Sequence, residues 1–267
     1  MSTSPDALLK SNEISIVFGG LKAVNGFSCT LHRGELVGLI GPNGAGKTTV
    51  FNMLSGIYTP TSGEIRVKDR HGTVRLTGDM DPALLNRLGV ARTFQNIRLF
   101  GNLTVEDNVR IALHSSHQAR IIDVLFRLPR FYADEKRMVD KTHELLNLFK
   151  IEHKRNELAR NLPYGEQRKL EITRALAASP VLLLLDEPAA GMNPQETEEL
   201  MQLISHIRKV FNLTILLIEH DMRLVMGICE RLIVLDYGRI IAEGTPDEIQ
   251  KNPAVIKAYL GAEALIK

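Results

Sequence analysis

Tryptophan is absent from the 267 residues, and aromatic side chains make up only 5%. That argues against a base-stacking platform, which needs several exposed rings in a row. Charge of one sign is not in excess. The net charge of +2 argues against an obligate nucleic-acid binder, while leaving room for a local basic patch. Cysteine is scarce: Cys29 and Cys229 lie far apart, with no C-x-x-C pair or zinc spacing near either. They read as two buried, reduced thiols. Long apolar runs are missing too. Val181 to Leu185 is strand-length, far short of the roughly 20 residues that span a membrane. Met1 to Lys10 lacks the basic start and apolar stretch of a signal peptide. The expectation is a cytosolic protein, soluble when isolated, that reaches a membrane only through a partner.

What is present is the composition of a soluble globular protein, 44% hydrophobic and 24% charged. The length suits one large domain or two small ones. Ile14 to Phe18 and Phe27 to Leu31 read as strands, and Leu36 to Ile40 as a buried strand. Gly41-Pro42-Asn43-Gly44-Ala45-Gly46-Lys47-Thr48 follows it, and Thr49 to Ser55 is helix-compatible. G-x-x-x-x-G-K-[ST] between a strand and a helix is a P-loop. Glycines let the backbone curl into a nest of N–H groups around phosphate oxygens, and the next helix points its positive end at the same anion. Lys47 can reach the β/γ-phosphates, and the Thr48 hydroxyl can ligate Mg²⁺. An ordinary glycine turn is the bland alternative, and the complete set of fixed letters in order weighs against it.

Farther on, Glu64 to Val67 and Thr73 to Thr77 alternate like a hairpin with Asp69 to Gly72 at its tip. Pro82 to Leu88 reads as a helix and Val90 to Phe94 as a strand. From Leu103 apolar residues take helical spacing, in Val105 to Leu113, Ala119 to Phe126, Tyr132 to Lys150 and Glu166 to Ala178. Arg127 to Arg130 reads as a break. The α/β pattern returns with strands at Val181 to Leu185, Leu213 to Ile218, Leu232 to Leu235 and Arg239 to Ala242. Pro194 to Val210 and Asp221 to Cys229 read as helices, and short helices close the chain from Pro246. The predicted division is an α/β core over 1–95 and 179–245, a helical subdomain over 96–178, and C-terminal helices over 246–267.

Three strand ends carry candidate chemistry. Asp186 ends a buried apolar run, where a carboxylate beside a P-loop is placed to hold Mg²⁺ directly or through water. Glu187 points elsewhere and can reach a water near the γ-phosphate. His220 ends another such run. A lone histidine there is often structural, but a strand in the same sheet favours a γ-phosphate sensor. Gln95 follows a third strand; spacing alone leaves it between an Mg²⁺ or water ligand at a hinge and a surface glutamine.

In this order the elements resemble the ATP-binding subunit of ABC transporters over essentially the whole length. Gly41 to Thr48 match the P-loop, Gln95 the Q-loop, and Leu162-Pro163-Tyr164-Gly165-Glu166-Gln167 the signature position. Leu182 to Asp186 with Glu187 match Walker B, Gly191-Met192-Asn193 the D-loop, and His220 the switch histidine. The resemblance implies an α/β P-loop NTPase core with an N-terminal antiparallel β subdomain and an inserted α-helical subdomain. It implies a dimer, with itself or with a second related ATPase, that sandwiches two ATP molecules. Glu187 then serves as general base or water-positioning carboxylate, His220 holds the γ-phosphate side, and Gln95 couples the helical subdomain to nucleotide. Phe18, which as a bare residue reads as core, takes the place of an aromatic that stacks on adenine. Thr49 joins the phosphate loop, and Gly165 and Glu166 face the partner's ATP.

The signature departs from the family's Leu-Ser-Gly-Gly-Gln. Pro163 supplies neither hydroxyl nor N–H, and Tyr164 fills a glycine position. Gly165 and the helix start after it remain as backbone donors. Asn193 replaces the D-loop acid. Phe18 to Val24, Arg92-Thr93-Phe94-Gln95, Leu162 to Gly165, the insert around His114 to Met138 and Ala258-Tyr259-Leu260-Gly261 together look like the branched-chain (hydrophobic) amino acid importers. That group implies integral-membrane permease subunits, two different ATPases and a substrate-binding protein, at the cytoplasmic face of the cell membrane. Lipid or lipopolysaccharide export ATPases are the nearest rival, although their signature is expected to stay closer to Leu-Ser-Gly-Gly. ABC proteins acting on ribosomes or DNA usually carry two ATPase domains or coiled-coil arms, which a single P-loop and no sustained heptads do not match.

Overall fold

A computed structural model of the chain describes residues 7–116 and 129–264. The expected helix from Ala119 to Phe126 lies outside the described residues, as do Arg127 and Leu128. The chain divides into two compact units, Met1–Arg92 with Val181–Lys267, and Thr93–Pro180.

In the first unit, β1 (Ala7–Phe18), β2 (Leu21–His32), β4 (Ser62–Lys68) and β5 (Val74–Leu76) form a four-stranded sheet in the order β2-β1-β4-β5, with antiparallel pairing throughout. β1 and β2 run well beyond the stretches whose alternation marks them. The cause is a series of register shifts, among them one between Ser11 and Ile14. Each bulge resets the period-two pattern, so a continuous strand reads as short fragments. Asp69 closes the hairpin tip by accepting from the His71 and Thr73 N–H groups, both at 2.9 Å.

The second sheet has six strands, β10 (Arg239–Gly244), β9 (Arg231–Asp236), β3 (Leu36–Ile40), β8 (Thr214–Ile218), β7 (Leu182–Asp186) and β6 (Val90–Arg92), in the order β10-β9-β3-β8-β7-β6. All its pairs are parallel except the β9–β10 hairpin. Every residue of β3, β7 and β8 is buried, which is why these strands are short unbroken apolar runs rather than alternating ones. α1 (Lys47–Leu54) adds Val50, Phe51, Met53 and Leu54 to a core shared by both sheets.

The remaining helices of this unit begin where local chemistry allows. α2 (Pro82–Leu88) starts on Asp81, which accepts from the Leu84 N–H, and stops at left-handed Gly89. α6 (Pro194–Phe211) starts on a capping box of Asn193 and Glu196 and stops at left-handed Asn212. Its buried Leu200, Ile204 and Ile207 recur at helical spacing. α7 (Met222–Ile228), α8 (Pro246–Gln250) and α9 (Pro253–Ala264) complete it.

The second unit holds α3 (Val105–Ser116), α4 (Pro129–Leu148) and α5 (Tyr164–Ala177), and no strand among its described residues. α4 already includes Pro129 and Arg130, which the sequence reads as part of a break; proline is tolerated in a first helical turn because its missing N–H has no intrahelical partner there. α5 begins at Tyr164 rather than Glu166, so Gly165 lies buried inside the first turn instead of before the helix. No described helix is long and apolar enough to cross a membrane.

Candidate active site

Register across three neighbouring parallel strands gathers the sequence candidates. Leu39 of β3 and Asp186 of β7 both pair with Ile218 of β8. Gly41, Glu187 and His220 therefore leave the sheet at the same carboxyl edge, where open parallel sheets form ligand crevices. Leu182 to Leu185 are each fully buried. At about 1.5–3 kcal/mol per leucine, β7 holds Asp186 at a fixed depth.

The loop after β3 turns on left-handed glycines. A Cβ on Gly41 would lie 2.0 Å from the Leu235 carbonyl oxygen, and one on Gly46 would lie 2.8 Å from that of Ala23. Gly46 is the N-cap of α1, no side chain caps that helix, and no acid occupies its first turn. Its leading N–H groups and positive end are thus left for an anion. They border a cavity of about 430 Å³ lined by the residues from Asn43 to Thr49, by Glu187 and His220, and by Leu21, Lys22, Ala23 and Tyr237. Gly41 and Pro42 act through their carbonyls instead, which accept from Lys47 Nζ at 2.7 and 2.9 Å. Burial pulls the Lys47 ammonium below its usual pKa, and Glu187 and Asp186 oppose that shift.

Asp186 is buried beside a cation that the sequence reading leaves unassigned. Arg92 Nη2 donates to Asp186 Oδ2 at 2.7 Å, while Nη1 donates to Asn52 Oδ1 at 2.7 Å and to Ser55 Oγ at 2.8 Å. The guanidinium also lies 5.6 Å from the centroid of the Phe51 ring. A signal existed: opposite charges end two short apolar strands.

Glu187 takes a left-handed backbone, φ 47°, uncommon for a residue with a Cβ. Its N–H donates to the Ile218 carbonyl at 2.9 Å. Its Oε1 lies 2.7 Å from His220 Nε2, which in a neutral imidazole places the proton on Nε2. The next carboxylate, Glu219, is buried. It accepts from the Ala189 N–H at 2.7 Å and the His220 N–H at 3.1 Å, tying the loop after β7 to the loop after β8. Burial raises its pKa above the ordinary carboxylate value. Sequence reasoning passes over Glu219 because it sits between an apolar run and a more conspicuous histidine.

Other candidates fall elsewhere. Phe18 is 43% exposed, so it is not core, and it meets Tyr58 edge-on at 5.2 Å. It is not among the residues lining the cavity, whereas Tyr237, in the turn between β9 and β10, is. Gln95 belongs to the second unit, where its carbonyl accepts from Arg168 Nη2 at 2.8 Å. Glu166 forms an ion pair with Lys154 at 2.7 Å. Asn193 caps α6.

No group of three or more His, Cys, Asp or Glu side chains among the described residues is placed to hold a metal. As donor types, the Thr48 hydroxyl and the Asp186 carboxylate suit a hard cation such as Mg²⁺; Thr48 lines the cavity and Asp186 does not.

A family model described as ABC transporter matches residues 24–190, and one described as branched-chain amino acid ATP-binding cassette transporter matches residues 239–264. The chain is 48% identical over 254 residues to the high-affinity branched-chain amino acid transport ATP-binding protein LivG of Salmonella typhimurium, covering 95% of this chain and 98% of the relative. It is 35% identical over 260 residues to the lipopolysaccharide export system ATP-binding protein LptB of Escherichia coli, covering 96% and 98%. The crystal structure of the ADP conformation of MJ1267, an ATP-binding cassette of an ABC transporter, matches with a TM-score of 0.81 at 29% identity, over 96% of this chain and 99% of that one. The family model spans well over half of the chain, and the relatives match nearly all of it, so the chain belongs to the ABC transporter family, among its ATP-binding proteins.

Proposed function

We propose that this chain is the ATP-hydrolysing subunit that powers import of branched-chain (hydrophobic) amino acids through a membrane permease. The observation that carries the cargo is near-full-length likeness to an ATP-binding protein of that transport. The likeness to a lipopolysaccharide-export ATPase covers as much of the chain at lower identity and stands second.

The chemistry follows from the sheet edge. The phosphate chain of ATP lies in the nest of the P-loop, at the uncapped end of α1. Lys47 exchanges its two bonds to loop carbonyls for phosphate oxygens, since an ammonium carries three donors and no acceptor. Thr48 and Asp186 hold Mg²⁺, which when bound offsets the phosphate charge. Gln95 is a further metal or water ligand on the family resemblance alone. Glu187 positions the attacking water or accepts its proton. The bond from His220 Nε2 fixes one carboxylate oxygen. The left-handed backbone at Glu187 costs about 1–3 kcal/mol, and the geometry it secures aims the carboxylate at the cavity. His220 meets the γ-phosphate once the substrate is in place, and Phe18 stacks on adenine.

The working unit is a dimer, with itself or with a second related ATPase, in which Gly165 and Glu166 face the partner's ATP. It sits peripherally at the cytoplasmic face of the cell membrane, on permease subunits fed by a substrate-binding protein. Because Pro163 and Tyr164 replace the usual serine and glycine, the two ATP sites of a heterodimer are unequal. Pull-down of the tagged chain from solubilised membranes in ATP tests this reading. Recovery of a permease pair with a second ATPase is expected. Recovery of lipopolysaccharide-export components, ribosomes or DNA instead would overturn it.

A further inference from the structure

The second unit contains a buried charged network that hydrolysis at the sheet edge does not use. Arg168 on α5 is fully buried. Its Nη1 donates to Glu171 Oε2 at 2.6 Å and to the Phe94 carbonyl at 2.7 Å. Its Nη2 donates to the Gln95 carbonyl at 2.8 Å and to Tyr164 Oη at 3.3 Å. Glu171 Oε1 accepts from the Phe94 N–H at 3.4 Å and from the Arg98 N–H at 3.3 Å. Tyr164, Arg168 and Glu171 stand at i, i+4 and i+7, so one face of one helix carries all three. Residues 93–98 have no helix or strand of their own, and this face holds their backbone from both its donors and its acceptors.

Packing alone does not explain the arrangement. An ion pair buried this deeply is often no more stable than apolar side chains of the same volume. What arginine adds is a rigid fork, here reaching two successive carbonyls and a carboxylate at once. Tyr164 is the exposed end of the chain of contacts, at 44%, and begins α5 in the stretch that departs from the family's signature.

We propose that Tyr164, Arg168 and Glu171 form a relay that sets the backbone of Phe94 and Gln95 according to what touches Tyr164, with Arg168 as a positioning residue. The inference rests on the proposed roles of Gln95 and of the signature stretch facing a second ATPase. Nη2 gives one N–H to the tyrosine oxygen and one to the Gln95 carbonyl; contact of that chain with the tyrosine hydroxyl shifts the first, the rigid guanidinium tilts with it, and the Gln95 side chain moves with its backbone. The departure from Leu-Ser-Gly-Gly-Gln thereby trades a serine hydroxyl for a hydroxyl wired to Gln95.

The test is a double-mutant cycle in the assembled transporter, reading kcat and KM of substrate-stimulated ATP hydrolysis. Tyr164→Phe removes only the hydroxyl and leaves the start of α5 intact. It should lower kcat about three- to tenfold, the worth of one hydrogen bond, with KM for ATP within about twofold. Gln95→Ala should lower kcat at least as much, and the double variant no further than Gln95→Ala alone. Additive losses would overturn the relay while leaving Gln95 its role. A silent Gln95→Ala would overturn the relay and the Gln95 reading together. Hydrogen exchange on the full chain gives a second readout. Arg168→Lys keeps the charge but not the fork, and should speed exchange at Phe94 and Arg98 about tenfold with α3 unchanged; unaltered exchange there would also overturn the relay.

Discussion

Replacing Arg92 by methionine keeps the aliphatic stem and removes the guanidinium beside Asp186. The side chains of this pair are only 6% and 4% exposed, so water screens poorly the carboxylate that has lost its arginine. Breaking such a buried pair from one side costs about 3–5 kcal/mol. Lost bonds to Asn52 and Ser55 push the effect toward the upper end. At about 2–4 °C per kcal/mol for a chain of this size, thermal unfolding of the nucleotide-free protein, followed by circular dichroism, should shift down by about 6–20 °C. Adding Asp186→Asn removes the buried charge that has lost its arginine and should recover a large part of the loss, about 2 kcal/mol or more. Arg66→Met is the control. Its pair with Glu64 is 42% and 38% exposed, and pairs of that kind contribute about 0–1 kcal/mol. An Arg92 variant no less stable than the Arg66 control, or a double variant as unstable as the single, would refute the assignment of Arg92 as the charge partner that fixes Asp186.

Glu187→Gln should bind ATP normally, accumulate a closed dimer on size-exclusion chromatography in ATP, and lose hydrolysis by at least about 100-fold. Lys47→Ala should weaken binding of a fluorescent ATP analogue about tenfold or more, because a charge-assisted contact is worth about 1.5–3 kcal/mol. Glu219 gives a pH signature. Its folded pKa is raised above the unfolded value of 4.5 by burial. Its contribution to stability is therefore fully present below 4.5 and is lost as pH rises through the folded value. Denaturant unfolding should accordingly show Glu219→Gln gaining on the native chain as pH is raised from about 4 to 7. Pro163→Ser with Tyr164→Gly, measured in the assembled complex, should change the ATPase rate if the signature departure makes the two sites unequal.

Much of the fold is legible in the sequence. Leu36 to Ile40 and the P-loop fall where the unbroken apolar run and the glycines put them, because a parallel strand covered on both faces needs no alternation. The same logic, a polar residue following a buried run, singles out Asp186, Glu187 and His220, and strand register brings the three to one sheet edge. The hidden parts were those that depend on strands far apart in sequence. Arg92 pairs with a carboxylate 94 residues away, and only the adjacency of β6 and β7 brings them together. Glu219 sits unremarked between an apolar run and a histidine, yet its two oxygens bind two loops. Phe18 shows the opposite case. Hydrophobicity suggested burial, while the end of a bulged strand left the ring in the open.

The decisive measurement is uptake of radiolabelled leucine into proteoliposomes holding the permease pair, this chain and its partner ATPase, with binding protein outside and ATP inside. The native chain should drive accumulation, and Glu187→Gln should abolish it while leaving the complex assembled. Undiminished uptake with Glu187→Gln, or ATPase activity that answers to lipopolysaccharide and not to a loaded amino acid binding protein, would contradict the proposed function.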